Sequence, residues 1–313
     1  MRLFFGRDGG WILLVALFLI FMAGCRDGRS VAPAPKAASP PPAAKIVLGL
    51  LPELDIFVQK KRYEPIARYL SEKTGAQVKL KILSRYGNIL ENFQHEELDG
   101  AFFGSFTGAL AIKRLGVEPL ARPEYPDGVS TYSGLLFARK ANGIKTAKDM
   151  QGKIFVFVDK ATTAGWLLPL YFFRAQGIRD YRTWFKDTYF SGTHEDAILD
   201  VLTGKADLGA AKDLVFYRLA KENPRITEEL EILAVSPKVP ANALAVRPGL
   251  DPALKSALAD SLLTMHQNAV GRRALAQFGA SRFIATEVQD YAPVIEYAEG
   301  IGLDLATYDY RND

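Results

Sequence analysis

Three strand-to-helix turns of the sequence carry small hydroxyl residues together with glycine. They are Gly104-Ser105-Phe106-Thr107, Thr162-Thr163-Ala164-Gly165 and Ser191-Gly192-Thr193-His194. The first turn of a helix has four unpaired N–H groups and the positive end of the helix dipole, so nearby hydroxyls would complete an anion site that needs no formal charge. The alternative is ordinary N-capping, and Thr193 with Asp196 fits a capping box. Three such turns at the mouth of one cleft make the anion site as strong an interpretation as the caps.

Three further side chains could face the same ligand. His194 lies in the first predicted turn of its helix, where it can donate a hydrogen bond in either protonation state or simply be solvated. Tyr86 follows a predicted strand and is interpreted either as a cleft hydroxyl or as a half-buried core tyrosine. Lys212 ends another strand, where it is either solvated or a cation facing the ligand. The candidate ligand contacts are Tyr86, Ser105, Thr107, Thr162, Thr163, His194 and Lys212.

Patterns typical of catalysis and of metal binding are missing from the sequence. There is no GxSxG elbow, no HExxH motif, no GxGxxG opening a helix and no Walker-type GxxxxGK loop. The one cysteine excludes an internal disulfide and a cysteine-based zinc site, and the three histidines have no metal-ligand spacing. A net charge of +4 over 313 residues is too weak to argue for nucleic acid. We therefore predict no enzyme, no metal and no cofactor.

Alternating strand and helix patterns must position these residues. The order predicts an α/β fold of two lobes, each an open, mainly parallel sheet flanked by helices. Two crossings, near 132–139 and 243–247, would join the lobes. We predict lobe 1 at residues 45–135 plus 245–313 and lobe 2 at 136–244. Ligands of such folds bind in the cleft outside the carboxyl ends of the strands.

The start of the chain is typical of an export signal. Residues 11–22 are an apolar run, too short for the roughly 20 residues of a membrane span but typical of a secretory signal. Ala23-Gly24-Cys25 follows, and small residues before the only cysteine resemble a bacterial lipobox, with Met22 where leucine is usual. We predict a lipoprotein signal peptide over residues 1–24 and a lipid on Cys25. The alternative is an uncleaved anchor with an incidental cysteine.

A proline-rich segment separates this cysteine from the first strand. Residues 30–44 contain five prolines among small residues, a composition that favours an extended chain without a core. Residues 25–44 are therefore predicted to tether a folded body to a membrane surface in the cell envelope or periplasm.

Several short motifs occur together in a characteristic order. They are IVLGLLPE, the helix from Tyr63 to Gly75, DGAFFG, Val158-Asp159 with Thr162 to Gly165, Phe190 to His194, and Gly204 to Asp207. In this order they resemble the periplasmic phosphonate/phosphite/phosphate-binding proteins (PhnD-like) of ABC importers, from about Lys45 to the C-terminus. The resemblance implies a type II periplasmic binding protein that captures a small phosphorus oxyanion and delivers it to an ABC permease and ATPase complex. It also implies anion contacts at Thr162, Thr163, Tyr86 and His194.

Two positions depart from the pattern of that family. The family's second cleft tyrosine would align with Gly108, and members that bind aminoalkyl phosphonates carry an acid where this chain has Lys212. A lysine would repel an ammonium group, so 2-aminoethylphosphonate is disfavoured and phosphate, phosphite or a more anionic ligand is favoured. A non-phosphorus oxyanion stays open, as do two other roles: a ligand sensor for a membrane receptor, and an envelope enzyme of similar fold.

Overall fold

The computed structural model describes residues 44–95 and 98–312. The predicted signal peptide, Cys25 and nearly all of the predicted tether lie outside the described residues. No helix within the described ranges is long and apolar enough to cross a membrane.

The strands of the described residues form one sheet of six, one of five and a ribbon of two. In chain order the strands are β1 (Lys45–Leu50), β2 (Gln77–Ile82), β3 (Gly100–Phe103), β4 (Glu118–Glu124), β5 (Thr131–Tyr132), β6 (Gly134–Arg139), β7 (Ile154–Phe157), β8 (Asp187–Phe190), β9 (Leu208–Lys212), β10 (Leu230–Val235), β11 (Val239–Pro240), β12 (Ala243–Val246) and β13 (Arg282–Ala285). The six-stranded sheet has the order β13-β4-β12-β3-β1-β2, and the five-stranded sheet has the order β10-β6-β9-β7-β8.

Helices pack around both sheets. They are α1 (Ile56–Thr74), α2 (Asn88–His95), α3 (Ser105–Leu115), α4 (Leu168–Ala175), α5 (Tyr181–Trp184), α6 (His194–Thr203), α7 (Asp213–Glu222), α8 (Arg225–Glu229), α9 (Pro252–Leu263), α10 (Ala269–Phe278) and α11 (Ala292–Gly300). A π-helical turn, Thr163–Leu167, leads directly into α4. The strands that helices cover are almost fully buried, because apolar residues fill both of their faces, as in β3 and β12.

The sheets confirm the two-lobed α/β fold, and both are mixed rather than mainly parallel. In the first sheet β1 runs parallel to β2 and β3, while β12 and β13 make antiparallel pairs. In the second sheet β7 runs parallel to β8 and β9, while β6 is antiparallel to β9 and β10. Apart from β4 with β13, the antiparallel pairs in the two sheets involve β6 or β12, the strands through which the chain enters a sheet from the opposite lobe.

The two crossings between the lobes are hydrogen-bonded to each other. The chain leaves the first sheet after β4 and returns to it at β12, and the crossings contain β5 and β11. These short strands pair antiparallel, with Tyr132 opposite Val239 and Thr131 opposite Pro240. The crossings therefore form one two-stranded hinge, which places Tyr132 beside the interlobe cleft.

Two elements of the first lobe differ from the sequence patterns. β4 contains Pro119 and Pro123, which argue against a strand, yet it pairs with both β12 and β13. The apolar pattern over 252–278 predicts either one long helix or a helix broken near Gly271, and the structure has two helices, separated by residues 264–268. The second begins at Asn268, whose side chain accepts a hydrogen bond from Gly271 N at 2.8 Å and so caps α10.

Candidate functional site

A buried ion pair joins the two lobes at the bottom of the cleft. Lys212, the last residue of β9, is 3% exposed, and its Nζ donates to Glu53 Oε1 and to Asn242 Oδ1, each at 2.9 Å. Glu53 follows β1 and comes from the lobe opposite the lysine, while Asn242 lies in the second crossing, between β11 and β12. Nζ also lies 4.3 Å from the centre of the Tyr132 ring, a favourable cation–π distance. We call Lys212, Glu53 and Asn242 the ionic centre.

The charges of the ionic centre compensate one another. Burial raises the pKa of Glu53, but the positive charge and hydrogen bond of Lys212, with a contribution from His194, outweigh it and bring that pKa to about 2. The sequence pattern left two interpretations of Lys212, a solvated lysine or a cation facing the ligand. Its charge is instead committed to Glu53, so the ionic centre as a whole is close to neutral.

His194 is held against the backbone of the same lysine. Its Nδ1 accepts a hydrogen bond from Lys212 N at 3.3 Å. Burial lowers the pKa of His194 to about 4, with Lys212 acting in the same direction and Glu53 opposing it. The ring is therefore neutral at pH 7, and since Nδ1 accepts, its hydrogen lies on Nε2, where it can donate to an anion.

Tyr86 contributes a hydroxyl with no partner. Its ring packs edge-on against that of His194, with 5.9 Å between ring centres. The oxygen is buried and forms no hydrogen bond with any described residue. Burial raises the pKa of Tyr86 well above its usual value, as do the nearby Glu53, Tyr132 and Asp159. Tyr86 therefore presents a protonated donor among residues of both lobes and the hinge.

The first two hydroxyl turns meet across the cleft. Thr163 Oγ1 accepts a hydrogen bond from Phe106 N at 2.8 Å, so the second lobe caps the first turn of α3 in the first lobe. Ser105 Oγ donates to Pro240 O of the hinge at 2.6 Å and lies 3.0 Å from the Tyr132 hydroxyl. Burial raises the pKa of Tyr132 to about 12, against hydrogen bonds from Ser105 and Thr163 that lower it. Ser105, Thr163 and Tyr132 thus form one hydroxyl cluster beside the ionic centre.

The other predicted hydroxyls are used within their own turns. Thr107 Oγ1 donates to Gly104 O at 3.0 Å, and Thr162 Oγ1 donates to Asp159 O at 2.7 Å. In the third turn, Thr193 Oγ1 accepts from Asp196 N at 2.9 Å and caps α6. The Asp196 carboxylate accepts from the Thr193 hydroxyl at 2.8 Å, so only half of the predicted capping box forms. From that turn, the residue that packs against the ionic centre is His194.

Tight packing fixes the π-helical turn that carries Thr163. A Cβ on Gly165 would lie 2.4 Å from Val158 Cβ, so a residue with a side chain would push this turn away from the end of β7. Trp166 packs edge-on against Phe157, with ring centres 4.9 Å apart, and anchors the turn from below. The loop before it is held by Asp159, whose Oδ1 accepts from Ala161 N at 2.8 Å and whose Oδ2 accepts from Asn312 Nδ2 at 2.9 Å.

A tyrosine from a distant part of the chain fills the space beside Gly108. A Cβ on Gly108 would lie 2.6 Å from Tyr291 Cε1 and 3.2 Å from its hydroxyl oxygen. That oxygen is buried and has no partner among the described residues. Burial raises the pKa of Tyr291, and the nearby Tyr132 acts in the same direction. This chain has Gly108 where the family pattern has its second cleft tyrosine. The Tyr291 ring, from another segment, packs there against the first turns of α3.

Four residues of this region were missed by sequence reasoning: Glu53, Tyr132, Asn242 and Tyr291. Glu53 directly follows β1, and the rule that polar residues at strand ends line the cleft could have found it. Tyr132 and Asn242 flank the crossings, which had been considered only as connections. Tyr291 gives no local signal, because its position depends on how α11 and the turn before it pack against α3.

The two lobes, the paired crossings and a cleft of buried donors define a two-lobed substrate-binding protein. The family model described as "ABC transporter, phosphonate, periplasmic substrate-binding protein" matches residues 48–291, and the chain belongs to this family. The protein is therefore a periplasmic component of a transport system, and the family is one of substrate-binding proteins rather than enzymes.

Individual relatives agree with this assignment. The chain is 27% identical over 261 residues to a probable ABC transporter phosphite-binding protein of Prochlorococcus marinus, covering 80% of this chain and 87% of the relative. A binding protein of an ABC phosphonate transporter from Pseudomonas aeruginosa superposes with a TM-score of 0.76 at 26% identity, covering 82% and 85% of the two chains. A Prochlorococcus marinus structure in complex with methylphosphonate has a TM-score of 0.73 at 23% identity, covering 82% and 97%.

Removing one partner of the ionic centre should destabilise the fold strongly. Lys212→Met leaves the Glu53 carboxylate buried without its cation, which should cost about 3–5 kcal/mol of unfolding free energy. The double variant Glu53→Gln, Lys212→Met should recover most of that loss, since neither charge remains. Urea unfolding followed by circular dichroism measures both values. Lys60→Met, in an exposed pair with Glu64, is the matched control and should cost at most about 0.5 kcal/mol.

A loss below about 1 kcal/mol for Lys212→Met would mean that Lys212 is hydrated in solution rather than buried against Glu53.

Acid should weaken the fold through His194. Because its folded pKa of about 4 lies below the unfolded value near 6.5, the unfolded chain binds the extra proton between these values. The stabilisation is present above pH 6.5 and is lost as the pH falls to 4. Between pH 7 and 4 the wild type should lose about 3 kcal/mol more than His194→Asn, measured by urea unfolding. His95→Asn, at an exposed histidine of α2, is the control, and equal slopes for wild type and His194→Asn would refute the burial of a neutral ring.

Proposed function

We propose that the protein captures a small phosphorus oxyanion, namely phosphonate, phosphite or phosphate, and passes it to an ABC permease and ATPase complex. The observation that carries the proposal is the meeting of uncharged donors from both lobes: Tyr86 and Phe106 N from one, Thr163 and His194 from the other. Such donors bind an anion through hydrogen bonds, with the dipoles of α3 and of the helical segment that begins at Thr163 adding positive potential.

Each donor has a defined role in this proposal. Tyr86 donates its unpartnered hydroxyl hydrogen, and His194 donates from Nε2. An anion oxygen at the start of α3 accepts from Phe106 N in place of Thr163 Oγ1, which is then free to donate its own hydrogen to the same anion. Ser105, Thr107 and Thr162 hold the surrounding turns and present their backbone amides, and Lys212 supports the site through the ionic centre.

Binding is coupled to closure in this proposal. We propose residues 45–135 plus 245–313 and residues 136–244 as the two lobes that move about the β5–β11 hinge. The Thr163–Phe106 hydrogen bond and the Lys212–Glu53 pair both cross the cleft, so each forms only when the lobes are together. A ligand that bonds to both sides replaces the Thr163–Phe106 hydrogen bond with its own bonds across the cleft and leaves the Lys212–Glu53 pair in place.

The relatives and the ionic centre narrow the ligand class. One relative is named as a phosphite-binding protein and one structural neighbour holds methylphosphonate, which supports a monosubstituted or unsubstituted phosphorus oxyanion. An ammonium group on the ligand would have to compete with Lys212 for Glu53. The ionic centre therefore still disfavours 2-aminoethylphosphonate, although Glu53 provides a carboxylate that could pair with the ammonium group of that ligand.

Phosphorus oxyanions should raise the melting temperature of the purified protein. At about 100 times the dissociation constant, a ligand adds about 2.7 kcal/mol of stability. We expect a shift with at least one of phosphate, phosphite and methylphosphonate, and a smaller one with sulfate. Thr163→Val should weaken binding of that ligand about tenfold by titration calorimetry, since one hydroxyl bond to an ionised group is lost.

Thr163→Ser keeps the hydroxyl and should retain affinity, and Thr203→Val, on the exposed end of α6, is the control for losing a threonine hydroxyl. If none of the four anions shifts the melting curve, the proposed function is wrong. If they do but Thr163→Val binds as the wild type does, Thr163 serves only as a cap.

We also propose that the mature chain begins at Cys25 and carries a lipid there. The support is the lipobox-like Ala23-Gly24-Cys25 after an apolar run, followed by a proline-rich tether. In a bacterial host the wild type should fractionate with membranes, and mass spectrometry should find a diacylglyceryl-modified N-terminal cysteine. Cys25→Ser should lack that mass and accumulate as an unprocessed precursor. A wild-type N-terminus at any other residue would refute the lipid anchor.

A further inference from the structure

A large cleft borders the ionic centre. It has a volume of about 960 Å³ and is lined by both lobes, with Glu53, Lys212 and Asn242 forming part of its wall. Lys212 also contacts the proposed anion site, because its N donates to His194 Nδ1 and its Nζ lies over the Tyr132 ring. Tyr86, Thr163 and His194, which we call the inner donors, do not line the cleft. A group attached to an anion bound among them would have to pass the ionic centre to enter it.

Two arginines from opposite lobes face the cleft. Arg218, on α7, has both terminal nitrogens buried, and neither makes a hydrogen bond to a described residue. Arg62, on α1, donates from Nε and Nη2 to Phe278 O at 3.2 and 2.8 Å and stacks on that ring, which fixes its guanidinium at the cleft wall. Burial lowers the pKa of Arg218, and the positive charge of Arg62 lowers it further, so the two cations lie close enough to repel each other.

The carboxylates along the cleft do not bond to either arginine in the described part of the chain. Glu53 is paired with Lys212, and Asp213 accepts from Ser133 N at 2.9 Å and from Leu214 N at 2.6 Å. Asp127 accepts a hydrogen bond from Val129 N at 3.1 Å. Glu222 raises the pKa of Arg218 electrostatically but forms no hydrogen bond with it. Burying guanidinium nitrogens without hydrogen-bond partners costs free energy, so an anion bound in this cleft would supply the missing partners.

We propose that this cleft binds a second acidic group of the transported ligand, so that the preferred substrate is a phosphorus oxyanion carrying a further carboxylate or phosphoryl group. The inference rests on the proposed function, which places the first phosphorus group among the inner donors. Arg218 binds the second group from one lobe and Arg62 from the other, in the planar geometry that guanidinium offers to carboxylate or phosphate. Tyr63 and Tyr125 also line the cleft and would contact the linker between the two acidic groups.

A series of ω-phosphonocarboxylates with two to five carbons tests the proposal by titration calorimetry, with methylphosphonate as the reference. At one chain length the wild type should bind the bifunctional ligand at least about tenfold more tightly than methylphosphonate, about 1.4 kcal/mol. In Arg218→Gln this ratio should fall to about one. Arg179→Gln, at an exposed arginine, should keep the wild-type ratio and controls for loss of a positive charge.

The outcomes separate this inference from the proposed function. If methylphosphonate binds but no phosphonocarboxylate binds more tightly, or if Arg218→Gln keeps the wild-type ratio, the second acidic subsite is refuted and the proposed function stands. If neither methylphosphonate, phosphite nor phosphate binds, the proposed function fails, and a phosphonocarboxylate that also fails to bind removes the inference with it.

Discussion

The structure depends on one buried ion pair that joins the lobes. Lys212 and Glu53 are each removed from water, which is tolerable only because each is the other's partner and because Asn242 and the Tyr132 ring satisfy the rest of the ammonium group. Since Lys212 belongs to one lobe and Glu53 to the other, this compensation exists only when the cleft is closed around them. The charge balance of the site therefore depends on the closure of the two lobes.

Burial is the main reason why the remaining donors are uncharged. His194 stays neutral next to a buried cation, and Tyr86 stays protonated next to a buried carboxylate. Neutral donors in a buried site hold an anion firmly, because they were never strongly hydrated and their dipoles are fixed by packing. A free lysine in their place would add attraction for any anion but less discrimination of its shape.

Much of this organisation can be predicted from the sequence. Strand and helix periodicity indicates the α/β fold and its two crossings, and hydroxyls beside predicted helix starts locate Thr163 and His194 near the cleft. Local patterns could not show that Thr163 caps α3 of the opposite lobe or that Lys212 meets Glu53, 159 residues away. β4 contains two prolines, which disfavour strands in general, and only its pairing partners show that they are tolerated here. Tyr291 beside Gly108 is likewise a property of packing between distant segments.

The most direct measurement is a crystal structure of the protein grown with methylphosphonate. The account predicts the phosphonate oxygens at about 2.6–3.0 Å from Tyr86 Oη, Thr163 Oγ1 and His194 Nε2, with Lys212 Nζ still bonded to Glu53. A phosphonate bound directly by Lys212, with Glu53 turned away and the three donors unused, would contradict it.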